Sequence, residues 1–149
     1  MSTSRTIKII GAGSAGNHLT QAARRMGWSV VVVDTDPNAL TRMKQDIYPS
    51  RYGAWDETIQ LFQTNNAPKN AYDLIAIATP PDTHLAIALE ALTECPKILH
   101  IEKPLCTPSL DGLESLKSSW HTTSPDTMIA VGYDHLVGES MVFVASLLK

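Results

Sequence analysis

Thr6-Ile7-Lys8-Ile9-Ile10-Gly11-Ala12-Gly13-Ser14-Ala15-Gly16 opens a stretch that closes at Ser29-Val30-Val31-Val32-Val33-Asp34. The apolar run Thr6 to Ile10 reads as a strand, Ser14 to Met26 as a helix stopped by Gly27, and Ser29 to Val33 as a second strand. A nearly pure valine strand is one buried on both faces, as in a parallel sheet covered by helices. Between the first strand and the helix, Gly11 to Gly16 fits G-x-G-x-x-G, and an acid ends the second strand. Each part has a physical task in gripping a dinucleotide. Gly11 permits a tight turn. Gly13 lets a pyrophosphate approach the backbone, where Ser14 and Ala15 sit at the N–H-rich start of the helix. Gly16 lets the helix pack closely on the sheet. Asp34 can accept hydrogen bonds from the adenosine ribose hydroxyls, and its charge repels a 2′-phosphate, which favours NAD over NADP. FAD-binding units share this fingerprint, and the hexapeptide alone does not separate the two.

Outward from this unit the same alternation continues. Asp36-Pro37 opens a second helix running to about Asp46. Tyr48-Pro49-Ser50 reads as a loop or short edge strand, Asp56 to Gln63 as a short helix, and Asn65 to Asn70 as a polar turn. Asp73 to Ala78 is predicted as a strand, Asp82 to Thr93 as a helix, Lys97 to Ile101 as a strand, and Ser109 to Trp120 as a helix. Thr127 to Val131 is predicted as the last strand and Glu139 to Leu148 as a closing helix. The expected fold is α/β, a doubly wound parallel sheet flanked by helices, with residues 1–149 forming one domain.

Bulk properties narrow the function classes. The chain is 44% hydrophobic and 18% charged with a net charge of −3, so no basic stripe exists to neutralise phosphates, and no nucleic-acid partner is expected. No run reaches the ~18 apolar residues of a membrane span, and Met1 to Thr6 lacks a signal-peptide core. A cytoplasmic location with no membrane contact is the expectation. Cys95 and Cys106 are too few for a disulfide framework, and no His/Cys/Asp cluster has metal-ligand spacing.

Three further blocks fall where predicted strands end, the edge at which open α/β sheets bind ligands. They are Ala78-Thr79-Pro80-Pro81-Asp82-Thr83-His84, then Glu102-Lys103-Pro104 about twenty residues later, then Val131-Gly132-Tyr133-Asp134. In this order and spacing the chain resembles the Gfo/Idh/MocA (glucose-fructose oxidoreductase/inositol dehydrogenase) family from Ile7 onward. The resemblance implies a Rossmann domain that binds a nicotinamide dinucleotide through Gly11, Gly13, Ser14, Ala15, Gly16 and Asp34. It further implies that Thr79, Pro80 and His84 lie along the cofactor, with Glu102 and Lys103 flanking the nicotinamide ribose. Lys103 is the candidate catalytic group, since an ammonium there can stabilise developing alkoxide charge or move a proton. The implied reaction is reversible hydride transfer at a hydroxyl carbon of a sugar, polyol or sugar nucleotide. Asp82 or Thr83 could equally serve as a plain N-cap, and His84 as a structural hydrogen-bonder.

The chain departs from the family at two points. Asp134-His135 stands where the family usually carries Asn after Gly-Tyr. The usual C-terminal α+β substrate domain is absent from these 149 residues. A truncated or split enzyme is therefore expected, completed by a partner domain or by a homo-oligomer. A non-catalytic dinucleotide-binding or sensing module acting through a partner chain is the alternative.

Overall fold

The computed structural model describes residues 4–69 and 72–133. Within them six strands form one parallel sheet: β1 (Thr6–Ile10), β2 (Ser29–Asp34), β3 (Gln60–Gln63), β4 (Leu74–Ile77), β5 (Ile98–Glu102) and β6 (Met128–Gly132). Their order is β3-β2-β1-β4-β5-β6, so the chain reverses direction across the sheet between β1 and β4. This is the doubly wound Rossmann arrangement, and the switch point lies between the two central strands.

Period-two alternation divides the strand side chains between two cores. Ile7, Ile9, Val30, Val32 and Ala76 face one side, where α1 (Ser14–Arg25), α2 (Pro37–Arg42) and α3 (Tyr48–Tyr52) supply Ala23, Leu40 and Tyr48. Ile75, Ile77, Leu99 and Ile101 face the other, packed by Leu85, Ala88 and Leu92 of α4 (His84–Leu92) and Leu116 of α5 (Leu113–Thr123). No helix among the described residues is long and apolar enough to cross a membrane.

Two expectations between β2 and β4 fail. Tyr48-Pro49-Ser50 is neither loop nor strand; it begins α3, which continues α2 through a π-helical turn at Met43–Ile47. A proline in a helix crowds the carbonyl four residues back and donates no N–H, and the widened turn just before Pro49 accommodates it. Asp56 to Gln63 is not a helix. Asp56 turns its carboxylate onto the Thr58 N–H at 2.9 Å and the Thr58 hydroxyl at 2.6 Å, a local alternative to helical bonding. Residues 60–63 then pair in parallel with β2, from Val31↔Gln60 to Asp34↔Gln63. The Thr58 hydroxyl and N–H, aided by the Arg24 guanidinium at 2.7 Å, hold the Asp56 carboxyl down at about 2. The predicted helix from Glu139 and the Asp134-His135 pair lie outside the described residues.

The opposite, N-terminal end of the sheet is fastened by Asp73. Its carboxylate accepts from the Thr6 N–H at 2.8 Å and from the Lys97 ammonium at 2.6 Å, which ties β1 and β5 to the start of β4. The Lys97 ammonium, then the Thr6 N–H, holds the Asp73 carboxyl below its ordinary range.

The connection from β3 to β4 carries a single 3₁₀ turn, Thr64–Asn66, among its described residues. On the α4 side of the sheet, no helix among the described residues covers β1, which lies beside a groove. Lys8, in the middle of β1, points into this region and is 3% exposed. Its ammonium donates to both Glu94 carboxylate oxygens, at 2.7 and 2.6 Å, and lies 4.8 Å from the centre of the Tyr72 ring. Removing one member of a buried pair strands the other charge. Lys8→Met should therefore cost about 3–5 kcal/mol in urea unfolding, and adding Glu94→Leu should recover most of the loss.

Candidate functional site

Register brings the sequence motifs to one edge. Ile10 is level with Val33 and with Ile77, and Ile77 is level with Ile101. The residues that follow, Gly11, Asp34, Ala78 and Glu102, thus stand side by side at the C-terminal ends of four adjacent strands. Parallel α/β sheets bind their ligands at this edge, beside the switch point.

The glycine loop is built from close backbone contacts. Gly11 has φ +110°, and its N–H donates to the Val33 carbonyl at 2.7 Å. A Cβ at Gly16 would stand 1.9 Å from the Gly11 carbonyl oxygen, so the first turn of α1 rests directly on the end of β1. Gly13 differs: a Cβ there would meet nothing within 4 Å. No side chain caps α1, and the first N–H groups of a helix have no partner inside it. An uncapped helix start beside an open glycine suits an anionic group such as a pyrophosphate.

Asp34 spans two segments. Its Oδ2 accepts from the Ala12 N–H at 2.8 Å and its Oδ1 from the Asp36 N–H at 2.9 Å. Asn17, fully buried, donates its amide to the Ala12 and Gly13 carbonyls at 3.1 and 2.8 Å. Loop and acid are thereby set before any ligand arrives.

A cleft of about 1000 Å³ opens from this edge. Of the residues singled out in the sequence, Gly11, Gly13, Asp34, Thr79 and Pro80 line it. Ser14 and Ala15 lie beside it at the start of α1, where the Ser14 hydroxyl accepts from Arg51 at 2.8 Å. Gly16 is beneath the loop. Glu102 ends β5, with its Oε1 3.4 Å from the His100 Nε2, and Lys103 is exposed at the tip that follows. His84 is fully buried and faces two carbonyls, not the cleft: Nδ1 lies 2.8 Å from the Pro104 oxygen and Nε2 2.7 Å from the Thr79 oxygen. Direct contact between its ring and a cofactor is therefore replaced by contact with the two turns.

Other lining residues carry no motif. Thr64 and Asn65 after β3, Arg42 at the end of α2, Ile87 on α4, Lys8 and Glu94 also line the cleft. An isolated lysine inside Ile7-Lys8-Ile9 was the one available signal, since a charge in an apolar strand needs a partner. Arg51 and Arg42 have no comparable mark.

Sheet order, glycine loop and acid together define a dinucleotide-binding Rossmann domain. The pattern of the Gfo/Idh/MocA oxidoreductase family, NAD-binding Rossmann fold, matches residues 5–130, and the chain belongs to that family. No curated protein sequence matches it. Among solved structures it is similar to the NAD(P)-binding domain of an exopolyphosphatase-related protein from Archaeoglobus fulgidus. That pair has a TM-score of 0.57 and 13% identity over 96% of this chain and 97% of the other. It is also similar to shikimate dehydrogenase from Mycobacterium tuberculosis, with a TM-score of 0.56 and 12% identity over 87% of this chain and 46% of that one. Lactate dehydrogenase from Eimeria maxima with NADH and oxamate gives 0.55 and 16% over 88% and 44%. The chain spans less than half the length of these two dehydrogenases. At such identities the likeness is one of fold.

The two loop glycines should separate stability from binding. Helical Gly→Ala ordinarily stabilises by up to ~1 kcal/mol, but Gly16→Ala should destabilise by about 3 kcal/mol, because its methyl group meets backbone. Gly13→Ala should melt like the wild type and bind NADH about tenfold more weakly. Thermal melts and NADH fluorescence titrations check both.

Proposed function

We propose that this chain binds NAD across the C-terminal edge of its sheet and serves as the cofactor domain of an oxidoreductase. The observation that carries this is Asp34. Its carboxylate is held by two backbone N–H groups at the rim of the cleft, next to an uncapped helix start. An ionised carboxylate retains further lone pairs for a ribose diol and repels a 2′-phosphate. Arg42 also lines the cleft, so the balance between NAD and NADP is a measure of which charge governs. Titration with NADH and NADPH tests this: Asp34→Ala should weaken NADH binding about tenfold and narrow the preference over NADPH. An unchanged NADH affinity would remove Asp34 from recognition.

The chemistry proposed for the domain is reversible hydride transfer at a hydroxyl carbon of a sugar, polyol or sugar nucleotide. The nicotinamide, when bound, supplies the hydride acceptor or donor. Glu102 and Lys103 stand at the end of β5, the half of the edge away from Asp34. Lys103 makes no hydrogen bond or ion pair among the described residues, which leaves its ammonium free to donate to a substrate oxygen as charge develops. A substrate pocket supplied by a second domain or partner chain would exclude water from this exposed tip. NADH production on a panel of polyols, sugars and sugar nucleotides reads the reaction. Lys103→Met should lower kcat by about 10², more than it weakens NADH binding; equal kcat values would remove Lys103 from the chemistry.

A further inference from the structure

Two turns at the binding edge come from different strands. The Thr79-Pro80 turn follows β4 and lines the cleft on the glycine-loop side, whereas Glu102-Lys103-Pro104 closes β5. Neither strand pairing nor loop bonding fixes one turn against the other beyond the ladder that ends at Ile77↔Ile101. Two α4-side residues hold the first turn. The Thr83 hydroxyl lies 2.8 Å from the Thr79 hydroxyl and 2.7 Å from the Pro80 carbonyl, and the Thr83 N–H donates to the same carbonyl at 3.0 Å. His84 alone among the described side chains reaches both turns, with Nε2 2.7 Å from the Thr79 carbonyl oxygen and Nδ1 2.8 Å from that of Pro104.

We propose that His84 is a positioning residue: its imidazole is the strut that sets the β4 turn against the β5 turn, and so aligns the two halves of the dinucleotide site. This rests on the reading that a dinucleotide lies across this edge. The ring is fully buried, so its polar atoms have no water to fall back on. A neutral imidazole has one N–H and donates to one carbonyl at a time; a ring protonated on both nitrogens donates to both. In either form the ring fills the space between the turns and fixes their spacing. Its position as the first residue of α4 anchors the strut in a rigid element, since Leu85, Ala88 and Leu92 of that helix are core residues. A ligand confined to the glycine loop and Asp34 does not depend on the strut. One that also reaches the Glu102 turn does.

The strut therefore predicts a split between whole and half ligands. Calorimetric titration with NADH and with ADP, on wild type, His84→Phe and His84→Gln, reads it. His84→Phe keeps the ring volume and removes both polar atoms. It should weaken NADH binding about tenfold or more while ADP binding stays within about twofold of wild type. His84→Gln keeps one amide donor and should recover part of the NADH affinity; it also serves if the phenylalanine variant does not fold, as judged by thermal melts. Equal losses for NADH and ADP would show a merely structural histidine and overturn the proposal, as would unchanged NADH affinity in both variants. Failure of the wild type to bind either ligand would instead overturn the dinucleotide reading on which the proposal rests.

Discussion

The binding edge depends on one close approach, that of the α1 first turn to the end of β1. Gly16 can lie on the Gly11 carbonyl only because it has no Cβ; the nearest backbone oxygen would otherwise be at 1.9 Å. From that contact the rest of the loop follows. Gly11 takes a positive φ, its N–H joins the Val33 carbonyl, and the chain turns sharply enough for Ala12 to present its N–H to Asp34. Asn17, one residue into the helix from Gly16, then ties the Ala12 and Gly13 carbonyls from below. The loop's own polar groups are spent on holding its shape, while the open side of Gly13 and the uncapped helix start face outward. Preorganisation of this kind lowers the ordering cost a ligand must meet on binding.

The sheet is anchored at one end and open at the other. Asp73 ties β1, β4 and β5 at their starts, and the buried Lys8–Glu94 pair joins β1 to the segment just after α4. The pair lies where no helix among the described residues covers β1. Lys8 lines the cleft, and a charge buried there needs a partner. The cleft runs from the glycine loop toward that pair, whose charges set the polarity of this part of its lining.

Much of this was legible because it is local. A valine run, a glycine hexapeptide and an acid each report on a few neighbouring residues, and parallel pairing then lines up their ends without further information. The Thr79-Pro80 and Glu102-Lys103-Pro104 blocks reach the same edge because each follows a strand, while the roles expected of them rest on the family resemblance. The region from Tyr48 to Gln63 was not. Pro49 is a helix breaker by rule, yet a π-helical turn before it lets the helix continue; and Leu61-Phe62 become strand because β2 offers a free edge, a tertiary fact absent from their own pattern. The same limit applies to the site. Arg42, Asn65, Ile87 and Glu94 meet only through topology. His84 was visible as part of a motif, but its orientation toward two carbonyls was not, because sequence spacing says nothing about which way a ring turns.

Asp34 illustrates why recognition and architecture are hard to separate in this domain. Under the proposed preference for NAD, its charge excludes a 2′-phosphate and its free lone pairs accept ribose hydroxyls. Yet the same two oxygens already accept the Ala12 and Asp36 N–H groups, one in the glycine loop and one at the N-cap of α2. Removing the carboxylate therefore leaves two backbone donors without their acceptor as well as a ribose without its partner, each at a cost of about 1–3 kcal/mol where water cannot replace it. Asparagine retains one acceptor oxygen and places an NH₂ where the other backbone N–H points, so it cannot satisfy both donors. A substitution at this position therefore disturbs the Ala12 anchor along with any cofactor preference, because under the proposed reading the residue facing the ribose is also the one that holds the loop beneath it.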